Sequence, residues 1–492
     1  WHPGSDGFRD IALAQTILDG DYPEDYLVKG EWLWYNPLIG GVVAVGAWMA
    51  DVPPSVADVR MGPYLNLLVP LAFFGLLWYV ADVWVALAAL VSFLFVLPQE
   101  RPAFVSASYS PWLIAPHLMQ GAFYGSIAIW CCRGPRPGWG MSVFAGFALG
   151  ITFLGHAAPA VLLGATFVVS TAFAFWMDRG VADRAYGRGL GLLLLTLAVA
   201  FVVSLPFTIS ILFRYHLQVV NPAPSQWVWG GVALERLPDQ LRDLVHWRTV
   251  VMAFGLYGFI TAPMPRYTKV VMITWPLIAL TFLAYNYLGQ WAARSGMHLP
   301  QITPGYHYLL YLIAAGHLLF GFGVVWLARG VVSLSGRVKG LQRYSTKAWL
   351  LPFLILLMVL AVFAGNYRSF RVWHGFTRDR TVAQKRIAKT DNYAPLVWIR
   401  DTLEPGAVFL CDDFTGIFCV APAGGRVVAS DPRFMNLYVP YAPRAVARDA
   451  LWTALAEGDS AAFYSLAREY DVSHILATKA QQASIDSGGV SG

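Results

Sequence analysis

The sequence is poor in charge. Asp, Glu, Lys and Arg make up 13% of its 492 residues, against 57% that are hydrophobic. A chain this long with so little charge is not a string of soluble domains. Cysteine is scarce too: there are four, and no spacing suits a zinc site. Cys131 and Cys132 fall at a helix end. Cys411 and Cys419 would either be bridged, if their region is extracytoplasmic, or form a buried thiol pair. There is no internal repeat, and the only low-complexity tract is the Ser-Gly-rich end. The excess of base over acid is small, 35 against 29, for a net charge of +6. In so apolar a chain that excess belongs to cytoplasmic loops and does not point to nucleic acid.

What the chain has instead is long apolar runs. Ten of them, at 63–80, 83–98, 112–132, 141–156, 159–177, 189–213, 249–263, 270–288, 305–328 and 348–365, read as membrane spans. Arg133/Arg136, Arg179/Arg184/Arg188, Arg266/Lys269 and Arg329/Arg337/Lys339/Arg343/Lys347 occupy every second loop, as the positive-inside rule demands. That alternation puts 99–111, the His156 turn, 214–248, 289–304 and everything from 366 onward on the outer face. One more apolar run, 37–50, has only about 14 residues, short of the ~20 that cross a bilayer. Counting it as a span would put the acidic N-terminal stretch and loop 99–111 on opposite sides. It therefore reads as a membrane-surface or re-entrant helix. The expected organisation is an acidic external loop (1–62), a transmembrane bundle of about ten helices (63–365) and an extracytoplasmic domain (366–492). In that last part, strand patterns at 407–411, 426–429 and 474–477 alternate with helical ones at 395–403, 445–456 and 460–469. The alternation predicts a small α/β domain.

The N-terminal stretch is where chemistry is most concentrated. Asp6, Asp10, Asp19, Asp21, Glu24, Asp25 and Glu31 place seven carboxylates within 26 residues. Asp10 to Leu18 has a helical apolar period, and Gly20 stands where a helix-ending glycine would. Asp21-Tyr22-Pro23 makes a turn, and Trp32, Trp34 and Tyr35 suit a membrane surface. The order D-G-F-R-D, then A-Q-x-I-L-x-G-x-Y-P, then W-Y-N-P-L resembles the first external loop of the GT-C superfamily of polytopic glycosyltransferases. That superfamily includes oligosaccharyltransferases, protein O-mannosyltransferases and lipid A aminoarabinose transferases. The resemblance is clearest over residues 1–160. It implies a further transmembrane helix ahead of Trp1. It also implies transfer of a sugar from a polyprenyl-phosphate donor to a glycan, lipid or protein acceptor, on the outer face of a plasma (inner) membrane.

The resemblance also assigns roles. An early acid of the first external loop takes the acceptor's proton. Asp6 fits that place best and Asp10 is next, while a helix-capping role for Asp6 stands beside it. Tyr22, in the Y-P-E-D turn, would contact acceptor or metal, or serve the turn alone. Metal-using members add an acid in the second external loop. Here Glu100 stands in Q-E-R, with no D-x-D, so a divalent cation is unsupported and no cofactor is expected with certainty. The donor phosphate would be held by Arg214, His216, His307 or His156, all at outer ends of spans. His317, deeper and flanked by apolar residues, reads as a packing histidine. Two rival classes remain: a transporter or flippase of a lipid-linked substrate, disfavoured by the lack of repeat halves, and a non-catalytic scaffold subunit on the same fold.

Overall fold

The computed structural model describes residues 5–96, 108, 110, 113–134, 138–177, 183–226, 232–243, 247–297, 299–300, 303–338, 342–345, 347–384 and 393–488. Each of the ten expected spans is a helix. Six stretches among the described residues are long and apolar enough to cross a membrane: Pro54–Val80, Ala157–Met177, Arg188–Arg214, Arg266–Arg294, Tyr306–Ser335 and Leu350–Arg368. The remaining four have 13, 19, 17 and 15 residues: Val83–Phe95, Ala115–Arg133, Trp139–Gly155 and Trp247–Thr261. Asp82 starts Val83–Phe95 by accepting the backbone N–H groups of Trp84 and Val85 at 2.8 and 2.9 Å. The bundle core is aromatic. Trp130 stacks on Phe167 with centroids 3.8 Å apart and donates its indole N–H to Ser170 at 2.9 Å. His317 packs there, as expected, with its Nδ1 2.8 Å from Ser92 Oγ.

The acidic stretch folds as helix α1 (Ser5–Leu18), ended by Gly20 at φ +85°, then an irregular loop, then helix α2 (Leu38–Ala50). Helix α2 has 13 residues, about 20 Å of helix, too short for a hydrocarbon core of ~30 Å. It packs along α1, where Gly40 lies under Leu13.

The C-terminal region is α/β. Strands β1 (Val408–Leu410), β2 (Arg426–Val427) and β3 (Val472–Ile475) form a parallel sheet in the order β2-β1-β3. Helices Tyr441–Glu457 and Ser460–Glu469 pack on it through Leu451 and Ala467. Cys411 and Cys419 are both buried, and no disulfide joins them.

This domain and the N-terminal stretch, which the sequence pattern treats as separate units, share one hydrophobic core. Phe8, Ala12, Tyr26, Leu27 and Leu33 pack with Leu396, Phe409, Ile417, Val420 and Met435. Phe8 meets Phe418 edge-on at 4.8 Å. Leu27 O accepts Val427 N–H at 2.8 Å, so the loop covers the free edge of β2. The acids of the loop are consumed in this docking. Asp21 and Glu24 flank the buried guanidinium of Arg426 at 3.1 and 3.9 Å. Asp25 accepts the N–H groups of Leu27 and Val28 at 2.8 and 2.9 Å, and Asn436 Nδ2 at 3.1 Å. A buried charge persists only with such partners.

Candidate active site

Where the bundle, the N-terminal stretch and the C-terminal domain meet, they enclose a cavity of about 340 Å³. Seven aromatic side chains line it: Trp34, Tyr35, Phe153, Phe207, Tyr306, Phe434 and Tyr438. Its charged and titratable groups are Asp6, Arg9, His156, His307 and Arg433.

Asp6 is in the first turn of α1, and its side chain is 56% exposed. One turn on, Arg9 donates Nη1–H to it at 3.2 Å. The Arg9 guanidinium lies over the Tyr35 ring, 3.6 Å from its centroid, and its Nε is 3.5 Å from Asp10 Oδ1. Arg9 thus joins two carboxylates, one facing the cavity and one buried behind it. Burial pushes the Asp10 carboxyl up to about 6; Arg9 opposes that shift and Asp6 adds to it. Also on the cavity, His156 ends the helix Trp139–Gly155 and His307 begins Tyr306–Ser335. Their rings lie 4.5 Å apart and both are buried. His156 Nδ1 accepts the backbone N–H of Ala158 at 3.2 Å, so a neutral ring carries its proton on Nε2.

Asp6, His156 and His307 therefore come together on one cavity. The other candidate residues do not. Asp10 is buried against Arg9 and does not line the cavity. Tyr22 donates its hydroxyl to Pro206 O at 2.6 Å and serves to hold the turn against the bundle. Arg214 and His216 are exposed. The helix above them ends in a π turn, Ser210–Arg214, closed by Tyr215 N–H to Ser210 O at 3.2 Å. That turn brings Tyr215 inward instead. Tyr215 stacks on Tyr438 at 4.8 Å and donates to Trp32 O at 2.6 Å. His216 and Leu217 follow in left-handed backbone, at φ 49° and 58°. Glu100 lies outside the described residues. Among the described residues, no three His, Cys, Asp or Glu side chains are grouped so as to hold a metal ion.

Sequence reasoning passed over Arg9 and Arg433 and gave Tyr35, which lines the cavity, to a membrane surface. Arg9 stands inside the D-G-F-R-D motif. Arg433 ends an Asp431-Pro432-Arg433 turn, and Asp-Pro is a turn-starting pair. Nothing in the local pattern of either arginine shows that it reaches a cavity.

The fold is GT-C-like. No protein-family model and no curated protein sequence matches the chain, but solved structures do. The oligosaccharyltransferase of Archaeoglobus fulgidus in its apo form aligns with a TM-score of 0.53 at 12% identity, over 99% of this chain and 67% of that one. The same organism's AglB, in complex with an inhibitory peptide and a dolichol-phosphate, gives 0.51 at 13% identity, over 96% and 65%. ArnT from Cupriavidus metallidurans bound to undecaprenyl phosphate gives 0.54 at 14% identity, over 93% and 90%. The chain thus spans about two thirds of the archaeal enzyme's length and nine tenths of ArnT's. At identities this low the likeness shows the fold alone.

Proposed function

We propose that this chain is a membrane glycosyltransferase that moves a sugar from a polyprenyl-phosphate donor to an acceptor at the outer face of the membrane. The observation that carries the reading is the cavity itself. It gathers a carboxylate, Asp6, with the imidazoles of His156 and His307 and the guanidinium groups of Arg9 and Arg433. An inverting displacement needs both kinds of group. Asp6 takes the acceptor hydroxyl's proton, and the freed oxygen attacks the anomeric carbon. The bond from that carbon to the phosphate oxygen breaks on the far side, and polyprenyl phosphate leaves with the electron pair. The aromatic lining suits the apolar faces of a sugar ring. That solved proteins of this fold hold dolichol-phosphate and undecaprenyl phosphate supports the lipid class of the donor.

Asp6→Asn tests the reading. The amide keeps the size and the contact to Arg9 but cannot take a proton. Transfer from a polyprenyl-phosphate sugar should fall by about 10²–10⁴ in kcat, the usual worth of a general base, with the melting temperature unchanged. A helix-capping role predicts the opposite, because Asn caps as well as Asp. Wild-type transfer by the variant would remove Asp6 as the base. Asp10 could not take its place, since it does not line the cavity.

A further inference from the structure

The cavity has two guanidinium groups, and they differ in what they have left to offer. Arg9 is hemmed in: Tyr35 covers its face, Asp6 and Asp10 offset its charge, and its side chain is 8% exposed, although its Nε, 3.5 Å from Asp10, makes no hydrogen bond. Arg433 is 45% exposed along its side chain. Its Nε donates to both oxygens of Asp431, at 2.9 and 3.0 Å, and its Nη2 donates to Asp431 Oδ2. That fork uses one edge of the guanidinium. The N–H groups of Nη1 have no acceptor among the described residues.

The loop that carries Arg433 is held from several directions. Asp431 Oδ1 also accepts the backbone N–H of Arg433 at 2.9 Å, and Asp431 O accepts Phe434 N–H at 2.9 Å. Pro432 O accepts Asn221 Nδ2 at 3.0 Å, and Phe434 O accepts the Tyr26 hydroxyl at 2.8 Å. A guanidinium fixed along one edge on an anchored loop has lost its rotamer freedom before any ligand arrives. Its remaining N–H groups match the oxygens of a phosphate.

We propose that Arg433, presented by the C-terminal domain, is the residue that recognises the phosphate of the lipid donor, and that Asp431 is its positioning residue. The inference rests on the function proposed above and deepens it. The C-terminal domain on this account supplies part of the reaction centre. As the bond from the anomeric carbon to the phosphate breaks, negative charge grows on the leaving oxygen, and Arg433 is placed to meet it.

The test uses the purified full-length chain in detergent and two probes, undecaprenyl phosphate and undecaprenol, which differ only in the phosphate. Wild type should bind the phosphate form more tightly. Arg433→Ala should lose about 10–100-fold in affinity for undecaprenyl phosphate, the worth of a hydrogen bond to a charged group, and keep its affinity for undecaprenol. Should Arg433→Ala lose both, Arg433→Gln serves as the second variant, with the same expected loss of preference. Asp431→Asn should weaken phosphate binding about 3–10-fold by releasing the fork. Tighter binding by that variant would mean that Asp431 merely competes with the phosphate, and would overturn its positioning role. Two failures are distinguishable. Wild type that shows no preference for the phosphate form defeats the proposed function. A preference that survives in Arg433→Ala and Arg433→Gln defeats only the inference about Arg433.

Discussion

Asp10 sits behind Arg9 with its carboxyl pushed up by burial to about 6. A carboxyl raised in the folded state binds its proton more tightly there than in the unfolded chain. Its contribution to stability is full below the unfolded value of about 4 and is lost as pH rises through about 6. Asp10→Asn removes that dependence. The variant's stability relative to wild type should therefore rise between pH 4 and pH 7, by of order 1–3 kcal/mol. Thermal unfolding in detergent at the two pH values measures it, and a constant difference would contradict the assignment. At this scale the sequence shows where the acids are and hides what each one does. Asp21 and Asp25 sit in a turn that reads as solvated. Their partners, Arg426 and Asn436, lie about 400 positions away. Local patterns carry no such pairing. Asp6, His156 and His307 could be singled out because a membrane chain has few such groups near span ends; Arg433 could not, because a domain rich in arginine gives it no contrast.

The elements were more legible than their crossings. The helix expected at 460–469 is Ser460–Glu469, and the strand expected at 407–411 is Val408–Leu410, because apolar period and strand length are local properties. How closely two helices approach is not local. Gly255 of Trp247–Thr261 meets the backbone of Leu319, and Gly323 of Tyr306–Ser335 meets the backbone of Val251. The two helices touch main chain to main chain, as small residues allow in membranes. A Cβ at Gly255 would strike a carbonyl, which cannot swing aside. Gly255→Ala should cost about 1–3 kcal/mol of stability, the range for overpacking. Gly330→Ala, on the partner helix Tyr306–Ser335 with nothing within 4 Å of its would-be Cβ, should be neutral or slightly stabilising. Equal effects of the two substitutions on thermal unfolding would refute the close crossing.

Across the whole molecule, the ends of helices that carry His156, Leu217 and His307 face one cavity, whereas Asp82 and Arg329 pair across 3.4 Å where other helix ends meet. The basic loops and the cavity thus belong to opposite ends of the bundle. With cysteine placed at exposed Ser460 or Ser333 in a Cys132→Ser background, an impermeant thiol reagent added outside cells should label Ser460→Cys and spare Ser333→Cys. The reverse would put the cavity in the cytoplasm. The core shared by the first loop and the last domain has a further consequence, for how the chain is made. Tyr26 bonds to Phe434, 408 positions later. At about 5–20 residues per second, the N-terminal stretch must wait roughly 20–80 s for the segment that covers Phe8, Tyr26 and Leu27. Throughout that interval the bundle can insert, but its cavity has no roof. A ribosome that stops short of residue 393 would leave a membrane-embedded chain with a sticky, unpaired loop, the kind of species that quality-control proteases recognise.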